Sequence, residues 1–241
     1  MSPPAVELPA LDLPAGGCWF VATPIGNLAD VSLRALAVLA GVDVVYAEDT
    51  RRTRRLLAAY GIRAVLQPYH DHNKERVAPR IVERLRAGER VAVVSDAGMP
   101  AVADPGYVLI RHLTAAGRWW SVVPGPSSVL AALVLSGLPT DRFLFGGFPP
   151  RRAGRLRAFL AEMLAAPWTV VLLESCHRLA KTVAAVAELA PERELAVVRE
   201  ITKVHEEVVR GPAAAVLPQL TGPRLKGEVV LVLRGGGNGE A

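Results

Sequence analysis

The sequence predicts an α/β protein of two domains, and three observations carry that expectation. Short apolar runs rich in Val and Leu alternate with segments whose apolar residues recur at helical spacing, the pattern of buried, mainly parallel strands with covering helices. A chain of 241 residues is long enough for one large domain or two of ordinary size. Near its middle, Pro124-Gly125-Pro126 interrupts both strand and helix.

Each element follows in order. Residues 1–16 read as a disordered leader; broken by prolines and lacking a basic start, they do not resemble a secretory signal. A strand over 19–23 (WFVAT) precedes a helix from about 31 to 40. Strand 43–48 leads to helix 52–60, strand 64–69 to helix 74–86, strand 90–95 to helix 106–116, and strand 119–124 to helix 127–135. In the third helix Val77, Ile81 and Leu85 share one face, with Arg80, Glu83 and Arg84 between them. A second series follows: strand 143–148 (FLFGGF), helix 154–165, strand 169–175, helix 177–189, strand 194–201, strand 206–211, helix 213–220 and strand 227–235. This half mixes βαβ units with adjacent antiparallel strands near its end. The expected organisation is a first domain over 17–123, a second over 124–235 and a flexible tail over 236–241.

Composition narrows the partners. Apolar residues make up 51% and charged residues 21%, as in a soluble globular protein. Net charge is +5, and only four of the 28 basic residues are lysine, leaving 24 arginines, whose planar forks suit phosphates. Cys18 and Cys176 are too few and too far apart for a disulfide framework or a zinc site. No apolar run reaches the ~18–20 residues that span a bilayer. A reduced, cytoplasmic setting without membrane association is expected.

In open α/β sheets, ligands bind outside the carboxyl ends of the strands. Four loops there are unusual: Pro24-Ile25-Gly26-Asn27, Asp49-Thr50-Arg51-Arg52-Thr53, Asp96-Ala97-Gly98-Met99-Pro100, and Pro124-Gly125-Pro126-Ser127-Ser128. Each has a plain structural reading: Pro24 as a turn stiffener, Asp96-Ala97-Gly98 as a β-turn, Asp104 or Ser127 as a helix cap. The first loop is neither G-x-G-x-x-G nor a P-loop. Three of the four carry few cations, which argues against a triphosphate and for a zwitterionic or uncharged ligand.

The ordered motifs TPIGNLADVSLRAL, AEDTRRTRRLL, YHDHN, VSDAGMPAVADPGY, VPGPSS, GLPTDRFLFGGFPPR, LLESCHRL, REITKVHEEVVRG and LKGEVVLVL run from about Trp19 to Gly235. Together they closely resemble the ribosomal RNA small subunit methyltransferase I family, of the tetrapyrrole methylase-like group. In Glu174-Ser175-Cys176-His177-Arg178 a cysteine stands where the family has proline. The resemblance implies two α/β domains with S-adenosylmethionine folded in the cleft between them. It implies methylation of the 2′-hydroxyl of cytidine 1402 in 16S ribosomal RNA, and a homodimer. A tetrapyrrole C-methyltransferase is the same-cofactor alternative, and an RNA-binding assembly factor the non-catalytic one.

On that resemblance the cofactor residues are Pro24, Ser95, Asp96, Ala97, Gly98, Met99, Ser127, Ser128, Leu173, Glu174, Lys226 and Gly227. Methyl transfer from a sulfonium needs no metal, so none is expected, although the His70-Asp71-His72-Asn73 run has ligand-type side chains. For the proton acceptor, Asp49, His70, Asp71, His72, Glu174 and His177 all remain open. Arg51, Arg52, Arg54 and Arg55 start one helix and Arg151, Arg152, Arg155 and Arg157 another; they are either solvated faces or a phosphate track. Aromatics are only 5%, and no stacking RNA-recognition motif is visible.

Overall fold

Five parallel strands form the first sheet of the computed structural model, which describes residues 7–237. They are β1 (Cys18–Val21), β2 (Val44–Ala47), β3 (Leu66–Pro68), β4 (Val91–Val94) and β5 (Trp120–Val123), in the order β3-β2-β4-β1-β5. The connecting helices are α1 (Leu33–Gly41), α2 (Thr50–Ala59), α3 (Lys74–Arg86) and α4 (Gly106–Ala115). Alternate side chains serve opposite faces. Cys18, Phe20, Val91 and Val93 pack with Ile81 and Leu85 of α3 and Leu109 and Leu113 of α4. Trp19, Val21, Ala92 and Val94 pack with Val38 and Leu39 of α1 and Leu57 of α2. The chain steps outward from β1 to β2 and β3 over one face, then reverses to β4 and β5 over the other. Right-handed crossovers require the face to change when the direction does. The reversal makes β1 and β4 neighbours and their carboxyl ends a topological switch point. Pro68 is tolerated because β3 is an edge strand.

The chain divides into two compact units between Ser127 and Ser128. The second begins with α5 (Ser128–Ser136), followed by β6 (Phe143–Gly147), α6 (Ala153–Ala165), β7 (Thr169–Ser175), α7 (Cys176–Leu189), β8 (Glu194–Arg199), β9 (Glu207–Pro212), α8 (Ala213–Val216) and β10 (Glu228–Leu233). Its sheet has the order β6-β7-β10-β8-β9; β6 and β7 are parallel and the other pairs antiparallel. Leu160, Leu179, Val183 and Val216 cover one face with Val170, Leu172 and Leu231. α5 packs across the same sheet, where Val171, Val198, Val230 and Val232 are also buried.

Several boundaries differ from expectation for local reasons. The helix expected from 31 starts at Leu33, because the Ser32 hydroxyl accepts the Ala35 N–H (3.1 Å) as its N-cap. The helix expected over 213–220 stops at Val216 and tightens into a 3-10 turn over Leu217–Gln219, where Pro218 has no N–H to continue it. The strand expected over 143–148 ends at Gly147, whose φ of 64° turns Phe148 out of the sheet. The leader is anchored from Leu13, which packs against the α1 side of the core, and the Gly16 N–H donates to Gly88 (3.0 Å). Residues 1–6 of that leader lie outside the described residues. So do 238–241 of the expected tail, whose first residue, Gly236, donates its N–H to Ala166 (2.7 Å). Among the described residues no helix is long and apolar enough to cross a membrane.

Candidate active site

Because β1 to β5 all run the same way, their carboxyl ends share one edge. The loops on that edge bring together Pro24 after β1, Asp49 after β2, His70 and Asp71 after β3, Ser95 to Met99 after β4, and Ser127 after β5. The first and fourth loops are stitched by a reciprocal pair: Thr23 N–H to Gly98 (2.9 Å) and Gly98 N–H to Thr23 (3.0 Å). The buried Thr23 hydroxyl adds a bond to the Ser95 carbonyl (3.2 Å). Gly98 adopts φ 79°, which only glycine takes readily. Farther along the same loop Ala101 (φ 72°) and Ala103 (φ 61°) occupy that region despite their side chains, local strain of the kind held at functional segments.

The edge is acidic. Burial, reinforced by Glu48, Asp96 and Asp71, pushes the Asp104 carboxyl up to about 7, against a partly offsetting hydrogen bond from Ser95. Burial and the charges of Asp96 and Asp71 also raise Glu48. The plain reading of Asp104 as a helix cap does not hold, since α4 begins without a side-chain cap, and Asp104 belongs to this cluster instead. Glu48, Asp71, Asp96 and Asp104 come from three separate motifs, and they meet only because β2, β3 and β4 share an edge.

The candidate proton acceptors fare unequally. Asp49 caps α2, accepting the Arg51 N–H (2.8 Å), and Arg51 also grips it with its guanidinium, holding the carboxyl far below the usual range. A carboxylate so held is a poor base. Asp96 accepts the Asp49 N–H (2.8 Å) and pairs with Arg52 (3.6 Å), so it ties two loops together. Asp71 pairs with Lys74 (2.9 Å) on the surface. The His70 and His72 rings meet edge-on at 5.9 Å, and His70 Nδ1 is enclosed without a partner. Asn73 fixes this loop by accepting the His70 N–H (2.9 Å) and donating to Pro68 (3.0 Å). Among the described residues no group of three His, Cys, Asp or Glu side chains is placed to hold a metal.

Four of the second unit's candidates share one sheet edge, while Ser128 starts α5. Leu173 and Glu174 lie in the last three residues of β7, and Lys226 and Gly227 precede β10, whose Glu228 pairs with Ser175. Glu174 is buried and fully engaged: it accepts bonds from the Thr182 hydroxyl and the Ser175 N–H (2.7 Å), and Arg178 lies 3.4 Å away. It is a pillar of the E-S-C-H-R turn rather than an available base; His177 is exposed beside it. Buried Arg199 donates to the carbonyls of Pro223 and Lys226 (2.7 Å each), fixing the turn that carries Lys226. Gly227 (φ 84°) lies against Glu200, whose Oε1 would be 2.3 Å from any Cβ there. Sequence reasoning gave no role to Arg178, quoted only as part of E-S-C-H-R, or to buried Arg199, because an engaged arginine looks like any other in composition.

All eight arginines of the two predicted runs are exposed. Arg51 and Arg52 are partly neutralised by Asp49 and Asp96, and Arg157 pairs with Glu188 (2.8 Å).

Two α/β sheets of this order, with a glycine-bearing strand edge on the first, are the frame in which the family comparison places a methylase. Residues 17–217 match the family model described as Tetrapyrrole (Corrin/Porphyrin) Methylases. The chain is similar to a solved uroporphyrin-III-C-methyltransferase from Thermus thermophilus (26% identity, 92% of this chain and 94% of that one, TM-score 0.65). It also has the fold of diphthine synthase (17%, 91% and 89%, TM-score 0.68). Proteins named ribosomal RNA small subunit methyltransferase I are nearer in sequence. The Xylella fastidiosa protein is 43% identical over 94% of this chain and 84% of its own length, and that of Neisseria meningitidis serogroup B 46% over 90% and 76%. That of Bacillus subtilis is 39% identical over 93% and 77%. The chain belongs to the tetrapyrrole methylase family, within its ribosomal RNA small subunit methyltransferase I group, and is an S-adenosylmethionine-dependent methyltransferase.

Proposed function

We propose that this enzyme methylates 16S ribosomal RNA of the small subunit, on the 2′-hydroxyl of cytidine 1402, as the names of its relatives suggest for the RNA. The observation that carries the reading is the pairing of an acidic, small-residue strand edge, suited to a sulfonium, with exposed arginines suited to RNA phosphates. S-adenosylmethionine supplies an activated methyl group. On the first unit, the backbone of Ser95 to Met99 and Pro24 hold it, Ser127 adds a contact, and Asp96 keeps the loops after β2 and β4 in register. On the second unit, taken by itself, Ser128, Leu173, Lys226 and Gly227 contribute ligand contacts, with Glu174 and Arg199 fixing their backbone. Positioning of the ribose oxygen in line with the methyl group supports ~7–11 kcal/mol of the barrier reduction.

A tetrapyrrole substrate is less well supported, because the named ribosomal RNA enzymes are 39–46% identical and the uroporphyrin enzyme 26%. The reading includes a cytoplasmic homodimer; a single-chain mass in sedimentation equilibrium removes the dimer. Ribose-methylation mapping of small-subunit RNA from cells lacking this chain tests the function. Loss of one 2′-O-methyl mark at cytidine 1402 is expected, and an unchanged map rejects the substrate. In calorimetry, Asp96→Ala weakens cofactor binding about tenfold while Asp96→Asn, which keeps an acceptor for the Asp49 N–H, weakens it less.

A further inference from the structure

Strand β6 ends in a set of devices with a single output. A register shift between Phe145 and Gly147 and the positive φ of Gly147 turn the chain away from the sheet. Gly146 leaves room for the core side chains there, since a Cβ would stand 2.6 Å from Leu172 Cδ2. Pro149 and Pro150 then restrict the backbone, and neither has an N–H with which to join a ladder. Their carbonyls are instead collected by one guanidinium: Arg178 Nη2 donates to Pro149 (2.9 Å) and Pro150 (3.0 Å). Arg178 is held in turn by Glu174, whose side chain is completely buried and also bound by Thr182. Buried ion pairs of this kind define geometry more reliably than they add stability.

What this apparatus presents is Phe148, 58% exposed and the most exposed of the five phenylalanines, followed by the exposed Arg151 and Arg152. An isolated exposed apolar residue needs no explanation. An exposed aromatic ring on a pinned backbone, followed within four residues by two exposed arginines, is another matter, since that combination matches single-stranded nucleic acid, in which bases stack on rings and phosphates pair with arginine. We propose that Phe148 stacks on an unpaired base of the RNA substrate while Arg151 and Arg152 take the adjoining phosphates. This rests on the ribosomal RNA reading above and adds a base contact to it.

The test uses undermethylated small subunits and the full chain as wild type, Phe148→Ala, Phe148→Trp, Phe148→Leu and Arg151→Ala/Arg152→Ala, with subunit affinity measured across salt concentrations. Phe148→Ala is expected to weaken subunit binding roughly 5- to 150-fold at unchanged salt slope, with S-adenosylmethionine affinity unchanged. Phe148→Trp retains binding and Phe148→Leu does not. The double arginine variant lowers the slope by about 1.4. Wild-type affinity in Phe148→Ala, or equal affinity in the Leu and Trp variants, overturns the stacking contact. If the wild-type chain itself neither binds nor methylates the subunits, the substrate reading fails instead, so the two failures are distinct.

Discussion

Asp104 holds its proton to about pH 7 because it is half-buried among Glu48, Asp96 and Asp71. Its folded pKa lies above the unfolded value, so protonation stabilises the fold. That contribution is complete below about pH 4 and is lost as pH rises toward 7. Asp104→Asn is expected to flatten the fall in stability between pH 4 and 7, read from melting temperature against pH. A cation bound nearby favours the ionised carboxylate, so S-adenosylmethionine affinity should rise between pH 6 and 8 in the wild type and stay level in Asp104→Asn; calorimetry at several pH values checks this. Glu174 is a buried carboxylate bonded by Thr182, the Ser175 N–H and Arg178. Glu174→Ala takes away the acceptor shared by Thr182, the Ser175 N–H and Arg178, leaving Arg178 its bonds to Pro149 and Pro150, and is expected to cost about 1–3 kcal/mol in urea unfolding. From the sequence, Glu174 and Asp49 were as eligible to accept a proton as any acid in a motif. Their partners, Thr182 eight residues away and the Arg51 fork, become decisive only when α7 and α2 exist.

At the scale of elements, α2 and α6 both open with arginine, against the preference of a helix's positive end for anions. In α2 the conflict is relieved for Arg51 by Asp49 and for Arg52 by Asp96, whereas Arg54 and Arg55 carry no ion pair among the described residues. Replacing Arg54 and Arg55 by Ala is therefore expected to lower the salt slope of subunit binding by about 1.4, and replacing Arg157, which is tied to Glu188, by less. Binding isotherms between 50 and 200 mM salt, roughly the range where phosphate contacts dominate, decide it. The sequence made these helices legible because Thr53, Leu56 and Leu57 fall at i, i+3 and i+4, and Leu156 and Leu160 at i and i+4, which is helical spacing. It could not say which arginines are engaged, because Asp96 lies far along the chain from Arg52 and Glu188 from Arg157.

Over the whole molecule, strand periodicity announced both sheets, and the continuous apolar runs pointed correctly to a parallel first sheet buried on both faces. Strand order was hidden. β10 lies between β7 and β8 rather than at an edge, a placement set by long-range pairing of Val229–Leu233 with two partners at once. Ligand binding acts on this whole: S-adenosylmethionine at a hundred times its Kd adds about 2.7 kcal/mol and should raise the melting temperature by roughly 5–10 °C. An unshifted melting curve contradicts cofactor binding. The reciprocal Thr23–Gly98 pair has a kinetic corollary. Two segments distant in sequence are laced into a single cooperative unit, so neither can breathe by itself, and their amides should exchange deuterium in step and slowly. The twisted alanines farther along form the natural weak seam, where solvent labelling should arrive first.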